Sequence, residues 1–172
     1  MTTIIGITDG RTMVLAGDKS ASDGTINVLT MTPKVYSVGA SVVVGFAGSW
    51  RGGELGVQAL QNLDVDSPDC NIFDMTSAIR EAWSEADFKN EDTSFIIGYS
   101  GQWFEVQSDL GHIEIWGEFH AIGSGSQFAL GALYAMMNDD GRTARARIRV
   151  AFEAAQKWSG ASEVYNVVEI TE

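Results

Sequence analysis

The chain opens with M-T-T-I-I-G-I-T-D-G at residues 1–10, so that Thr2 follows the initiator Met1 directly. Removal of Met1, which a small second residue favours, would leave Thr2 with both a hydroxyl nucleophile and a free α-amine. An α-amine titrates near ~7.7–8.0, so it can accept the hydroxyl proton close to neutral pH. This pairing is the N-terminal threonine version of an activated nucleophile. The same residues also suit an ordinary terminus that leads into a strand, and Thr2 alone does not separate the two interpretations.

The residues that follow predict two β-hairpins. Residues 3–9 and 12–17 are rich in apolar and β-branched side chains and are joined by Asp9-Gly10, a dipeptide typical of tight hairpin turns. Residues 34–38 and 41–47 form a second pair, and most of the latter segment is an apolar run of the kind found in buried strands. The chain therefore begins with several strands.

Helical periodicity appears in two sections of the chain, each with two helices and each after a group of strands. Apolar stripes at helical spacing mark four helices, namely Gly56, Ala59, Leu60 and Leu63; Met75, Ile79, Trp83 and Ala86; Leu130, Leu133, Tyr134 and Met137; and Ile148, Ala151, Phe152 and Ala155. Ser126, just before the third stripe, is the predicted N-cap of its helix. Further strands are predicted over 94–100, 102–108, 112–116, 118–122 and 163–170. This order of strands and helices predicts a layered arrangement of sheets and helices.

Composition limits the classes of protein to which the chain can belong. Its 172 residues, 45% of them hydrophobic, predict one domain over residues 1–172 with a sizeable core. The net charge of −12 argues against a nucleic-acid binder. Cys70 is the only cysteine, so an intrachain disulfide is excluded and a reducing compartment fits. Because neither a secretory signal nor an apolar run of ~20 residues is visible, we expect a cytoplasmic protein that does not enter a membrane.

Several residues after the first strand have the chemistry to assist Thr2. Asp18 ends the second apolar run, Lys34 begins the third, and Gly48 follows the fourth. An ammonium near Thr2 would disfavour protonation of its α-amine and favour a developing alkoxide, while a carboxylate would keep the lysine charged. Gly48 lacks a Cβ, so its N–H can closely approach an oxyanion. Taken singly, each of these residues also suits a structural role. Asp18 suits the end of a strand, and Lys34 suits a solvated position at the start of one. Gly48 suits a tight turn, and Ser124 suits a helix cap.

The order and spacing of these residues resemble the proteasome β-subunit family of N-terminal-nucleophile hydrolases, and most of all its HslV (ClpQ) branch. The motifs that carry the resemblance are V-L-A-G-D at 14–18, P-K-V at 33–35, V-V-V-G-F-A-G-S at 42–49 and A-I-G-S-G-S at 121–126. The resemblance covers nearly the whole chain and implies an α+β fold, the four-layer αββα sandwich. It also implies a set of catalytic residues, which are Thr2 as nucleophile with Asp18, Lys34, Gly48 and Ser124.

The resemblance further implies a substrate pocket beside the nucleophile. Its walls by position are Ala21, Thr32, Tyr36, Phe46 and Trp50. Because Phe46 and Trp50 are bulky, we expect a small or shallow pocket. The same side chains also suit core packing or contact between subunits.

The end of the last helix departs from the proteasome pattern. Ser159-Gly160 matches a family Ser-Gly whose serine supports the threonine amine, whereas Gln156 stands where proteasome subunits have Asp. In the HslV branch this loop can bind a cation through backbone carbonyls. The resemblance therefore implies Ser159 as a supporting residue and a structural cation site over 156–162, with Gln156, Ser159 and Ser162 as its candidate residues. We expect no catalytic metal or other cofactor.

As a whole, the resemblance implies a threonine-type endopeptidase that works inside a self-compartmentalising ring of two stacked hexamers. Unfolded proteins or peptides would be its substrates, and an ATP-dependent unfoldase its partner, because the sequence has no nucleotide-binding glycine motif. The lack of a long segment before Thr2 favours the HslV branch. Two alternatives stay open, a small-molecule amide hydrolase on the same scaffold and an inactive structural ring subunit that keeps Met1.

Overall fold

The computed structural model describes residues 2–22, 27–89, 92–138, 141–162 and 164–171. Its helices are α1 (Trp50–Asn62), α2 (Ile72–Glu85), α3 (Ser126–Ala135) and α4 (Ala144–Ser159). Its strands are β1 (Ile4–Thr8), β2 (Thr12–Asp18), β3 (Ser20–Ser22), β4 (Asn27–Leu29), β5 (Val35–Val38), β6 (Val42–Ala47), β7 (Ser94–Tyr99), β8 (Gln102–Val106), β9 (His112–Ile115), β10 (Phe119–Ile122) and β11 (Tyr165–Thr171). The predicted order of strands and helices is confirmed. Met1 lies outside the described residues.

Within these ranges, the strands form two large antiparallel sheets and one small hairpin. The first sheet has the order β10-β1-β2-β11, the second has the order β5-β6-β7-β8-β9, and β3 pairs with β4. Asp9-Gly10 makes the predicted turn between β1 and β2, with Gly10 at a φ of 88°. Because β1 lies between β10 and β2, the residues just before it are placed between two neighbouring strand ends.

Alternation along the strands sends side chains into three apolar layers. Ile4 and Val43 meet between the two sheets, whereas Ile5 packs with α3 and α4 and Val44 packs with α1 and α2. Each sheet is thus covered on both faces, and its central strands are apolar on both sides. The predicted α+β fold, a four-layer αββα sandwich, is confirmed. The interpretation of residues 1–172 as one domain stays a prediction.

Capping signals explain where two of the helices begin. Asn71 accepts a hydrogen bond from the N–H of Phe73 at 2.9 Å, and Asp74 reaches back to the N–H of Asn71 at 3.0 Å. This capping box starts α2. Ser49 caps α1 by accepting a bond from the N–H of Gly52 at 3.3 Å.

Two predictions for α3 are wrong. The N-cap position is occupied by Gly125, and Ser126 is instead the first helical residue. The inward face is formed by Ala129, Leu133 and Met136, while Tyr134 and Met137, predicted as buried, are 68% and 45% exposed. The reason is that residues 126–137 are apolar on nearly all sides, so periodicity does not identify which side meets the sheet.

Trp103 fills much of the layer between the sheets. Its side chain on β8 is 0% exposed. A Cβ added to Gly6 on β1 or to Gly98 on β7 would come within 2.8 Å or 2.6 Å of its ring. The two glycines therefore make room for the indole, and this side-chain packing requires their small size.

We expect Gly6→Ala to lower the free energy of unfolding by about 1–3 kcal/mol, because the added methyl overpacks the core against Trp103. Gly131→Ala is the matched control, since a Cβ at this helical position meets nothing within 4 Å. It should stabilise the protein by about 0.5–1 kcal/mol through helix propensity. Urea unfolding of both variants measures the difference, and equal effects would contradict the packing argument.

Candidate active site

Strand register places Thr2 beside two of its predicted partners. β1 and β10 pair with Ile4 opposite Ile122, and continuing this register two residues outward sets Thr2 opposite Ser124. β1 and β2 pair with Ile4 opposite Gly17, which sets Thr3 opposite Asp18. The backbone N–H of Asp18 accordingly donates to the Thr3 carbonyl at 3.1 Å. The nucleophile candidate is therefore positioned by the centre of the first sheet.

Lys34 reaches Thr2 from the second sheet. It immediately precedes β5, and its ammonium donates to the Thr2 hydroxyl at 3.0 Å and to Asp18 Oδ1 at 2.9 Å. Its side chain is only 2% exposed. Burial lowers the pKa of Lys34 below its ordinary value, and the charge and hydrogen bond of Asp18 oppose this shift. Lys34 is thus buried against the Thr2 oxygen rather than solvated at the start of a strand.

Asp18 is surrounded by donors from three directions. Besides Lys34, its carboxylate accepts bonds from the N–H of Thr3 at 3.0 Å and from the N–H of Ser20 at 3.3 Å, as well as from the Ser20 hydroxyl. Both Asp18 and Ser20 are buried. These bonds offset the cost of removing the carboxylate from water. Ser20 was not predicted as a site residue, although its position two residues after Asp18 in an Asp-x-Ser sequence suits such a bond.

Ser124 bonds both backbone groups of Thr2. Its hydroxyl accepts a hydrogen bond from Thr2 N at 3.1 Å and donates to the Thr2 carbonyl at 3.4 Å, and the N–H of Gly125 donates to the same carbonyl at 3.3 Å. The turn requires glycine at 123, because its φ is +91° and an added Cβ would collide with the Thr2 carbonyl oxygen. The Gly-Ser-Gly turn therefore anchors Thr2, the nucleophile candidate.

Gly48 lies between β6 and α1 and faces the same space as Thr2. Its φ of +98° is unfavourable for other residues, and an added Cβ would collide with the carbonyl oxygen of Asp92. Both features explain why glycine occupies the position. The loop brings the Gly48 backbone to the wall of a cavity that Thr2 also lines.

This cavity, of about 330 Å³, lies over Thr2. Its remaining lining is mostly small and polar, and comprises Ser20, Ala21, Ser22, Ala47, Gly48, Trp50, Asp92, Ser94, Gly123 and Ser124. Of the predicted pocket walls, Ala21 and Trp50 line it. Among the described residues that line it, Trp50 has the only large side chain.

The other predicted pocket walls lie outside the cavity lining, for reasons of strand geometry. Phe46 is 1% exposed and, like Val44, points to the layer of α1 and α2, whereas Ala47 points the other way and lines the cavity. Tyr36 packs against that same helical layer and donates its hydroxyl to the Pro33 carbonyl at 2.8 Å. Thr32 is exposed before β5.

Ser159 lies near the anchoring turn and bonds within its own helix. Its hydroxyl donates to the Ala155 carbonyl at 2.7 Å, and it lies 2.9 Å from the point where a Cβ on Gly125 would be. Ser162 accepts a bond from the N–H of Val164 at 3.0 Å. The supporting role of Ser159 and the cation site over 156–162 stay predictions. The described residues include no cluster of three or more His, Cys, Asp or Glu side chains suited to a metal.

No model of a known protein family matches the sequence. The structure superposes on the eukaryotic HslV of Trypanosoma brucei with a TM-score of 0.81 and 25% identity, over 99% of both chains. The chain has the HslV fold. The resemblance drawn from its sequence motifs is thereby confirmed.

Two structures of BPH from Thiobacillus denitrificans share the HslV fold with this chain. They match with TM-scores of 0.80 and 0.78 and identities of 21% and 22%, over 99% of this chain and 98% of theirs. The first of them is a complex with epoxomicin. In the part of this HslV-like chain that the structure describes, the helices are too short or too polar to cross a membrane.

The buried ion pair between Lys34 and Asp18 should contribute to the free energy of unfolding. Asp18→Asn should lower the free energy of unfolding by about 3–5 kcal/mol near neutral pH, because it leaves the buried Lys34 ammonium without its counter-charge. The double variant Asp18→Asn/Lys34→Met should regain part of this loss, since it removes the unpaired charge as well. Urea unfolding of the single and double variants tests the coupling. Strictly additive losses would show that the two groups do not interact.

Proposed function

We propose that the chain is a threonine-type endopeptidase subunit in which Thr2 becomes the nucleophile after removal of Met1. The observation that carries the proposal is the bond of 3.0 Å from the Lys34 ammonium to the Thr2 hydroxyl, at the wall of a cavity of about 330 Å³. The HslV fold supports a peptidase, and BPH, which shares the fold, is known in complex with epoxomicin.

In the first step, the Thr2 hydroxyl oxygen attacks the carbonyl carbon of the scissile peptide bond, and its proton passes to the α-amine. The Lys34 ammonium, 3.0 Å from that oxygen, stabilises the negative charge that develops there. The same ammonium disfavours protonation of the α-amine, which keeps the amine available as a base. The substrate carbonyl becomes an oxyanion, and we assign the N–H of Gly48 as its donor.

In the second step, the carbon–nitrogen bond breaks, and the departing amine takes the proton from the α-ammonium. The acyl group remains on Thr2 as an ester. Water then adds to this ester with the α-amine again as base, which releases the carboxylic acid product and restores the hydroxyl. Ser124, bonded to both backbone groups of Thr2, keeps the nitrogen in place through the cycle.

Thr2→Ala should reduce peptide cleavage by about 10⁴-fold or more and abolish labelling by epoxomicin, because it removes the nucleophilic oxygen. Thr12→Ala is the matched control, since Thr12 lies at the opposite end of β2 from Asp18. Cleavage of a fluorogenic peptide and the intact mass after epoxomicin treatment measure both properties.

The intact mass of the untreated protein is recorded in the same experiment, because it shows whether Met1 has been removed. Equal cleavage by the wild type and Thr2→Ala would refute the assignment of Thr2. Absence of cleavage from a chain that retains Met1, followed by activity after Met1 is removed, would support it.

We also propose that this peptidase works in a homo-oligomeric ring, two stacked hexamers, located in the cytoplasm and fed by an ATP-dependent unfoldase. Large apolar side chains lie exposed on the described surface, including Met31 at 88% and Trp116 at 101%. Aromatic residues and methionine are enriched where subunits meet. The site itself is open in a single subunit, so confinement of the substrate requires the assembly.

Light scattering should therefore give a mass far above the 18.5 kDa of one chain. The assembly alone should cleave short peptides and leave a folded reporter protein intact, because the sequence has no nucleotide motif to drive unfolding. Addition of the cognate ATPase and ATP should make the reporter a substrate. A strictly monomeric enzyme that hydrolyses small amides would instead favour the small-molecule hydrolase.

A further inference from the structure

We propose that Trp50 is a positioning residue whose indole face holds the Lys34 ammonium against the Thr2 hydroxyl, an inference that rests on the proposed function. The centroid of the Trp50 ring lies 5.7 Å from Lys34 Nζ. This separation falls within the ~6 Å over which a cation is attracted to an aromatic face. Trp50 also lines the cavity over Thr2, so one ring contacts both the lysine and the space for substrate.

The ammonium of Lys34 has three kinds of neighbour that together fix its position. Asp18 accepts a bond at 2.9 Å and the Thr2 hydroxyl accepts one at 3.0 Å. The Trp50 ring covers the ammonium from a further side. A lysine side chain has a flexible four-carbon stem, so a third contact restricts it to the conformation that reaches Thr2.

The ring of Trp50 is itself held by the core. Trp50 is the first residue of α1, directly after the cap Ser49, so its backbone is fixed by the start of the helix. Phe46 contacts its ring edge-to-face, with centroids 5.5 Å apart and planes at 81°. Phe46, predicted as a pocket wall, therefore lies in the core behind Trp50 and supports its ring.

The ring also affects the charge of Lys34. Burial lowers the pKa of this lysine, and Asp18 opposes the shift. The negative face of the indole favours the ammonium as well, so it acts in the same direction as Asp18. Replacing the ring by an aliphatic side chain keeps the lysine covered and removes this stabilisation. The lysine should then lose its proton at a lower pH.

The test compares Trp50→Leu with Trp50→Phe. The alkaline limb of the kcat profile, where Lys34 deprotonates, should move to lower pH by about 0.4–1.5 units in Trp50→Leu. Trp50→Phe should restore most of the shift, because it returns an aromatic face. Trp158→Leu is the matched control, since Trp158 lies 5.5 Å from Lys157 Nζ on the exposed surface. It should leave the profile unchanged.

A second readout does not depend on activity. The ¹³Cε resonance of Lys34, assigned with Lys34→Arg, gives the titration midpoint in the full-length protein without substrate. A lower midpoint in Trp50→Leu supports the inference even if the wild type cleaves no peptide, an outcome that would refute only the proposed function. An unchanged midpoint and an unchanged alkaline limb in Trp50→Leu would overturn the role of Trp50, as would an equal shift in Trp158→Leu.

Discussion

The buried ion pair between Lys34 and Asp18 joins the two sheets at the point where the chain begins. Asp18 ends β2 in the first sheet, and Lys34 precedes β5 in the second. Two buried charges are stable together only if their remaining hydrogen-bonding groups also find partners. Thr3, Ser20 and the Thr2 hydroxyl are those partners. The hydrogen bonds that stabilise the buried pair thus also hold Thr2, the nucleophile candidate, in position.

Backbone turns complete the site where side chains would be too large. Gly48 and Gly123 both have a positive φ, and each lies so near a carbonyl oxygen that a Cβ would collide with it. The turn at Gly123 anchors Thr2, and the turn at Gly48 lines the cavity over Thr2. Each turn is held by a strand of a sheet at one end and by a helix at the other. Turns fixed in this way would suit the proposed site, because donors that stabilise charge act best when they need not reorganise.

Phe46 and Trp50, the aromatic residues near the site, occupy different environments. Phe46 belongs to the core beneath α1, while Trp50 stands between that core and the cavity. The other described residues that line the cavity are small or polar, and the Trp50 ring also covers the Lys34 ammonium. In the proposed function, Trp50 therefore lies both at the space for substrate and beside the lysine.

The sequence by itself determined those features that depend on neighbours along the chain. The Asp9-Gly10 turn and the alternation on either side of it fix the β1–β2 register, and this register alone sets Asp18 opposite Thr3. Lys34, Gly48 and Ser124 became candidates through the resemblance of the motifs to the proteasome β-subunit family, since each residue taken singly also suits a structural role. Alternation along β6 likewise places Phe46 and Ala47 on opposite faces of the sheet.

Only the tertiary structure decided which groups meet across the two sheets and which side of α3 is buried. The contact of Trp50 with Lys34 joins residues whose relation depends on how α1 and β5 pack, and no local pattern records it. Likewise, residues 126–137 are apolar on nearly all sides. Tyr134 is exposed because it lies on the side of α3 that packs against no other described element of the chain, and its own polarity is not the reason. Both features follow from packing between segments that are distant in the sequence, because a helix that buries one apolar side against the sheet leaves its other side exposed.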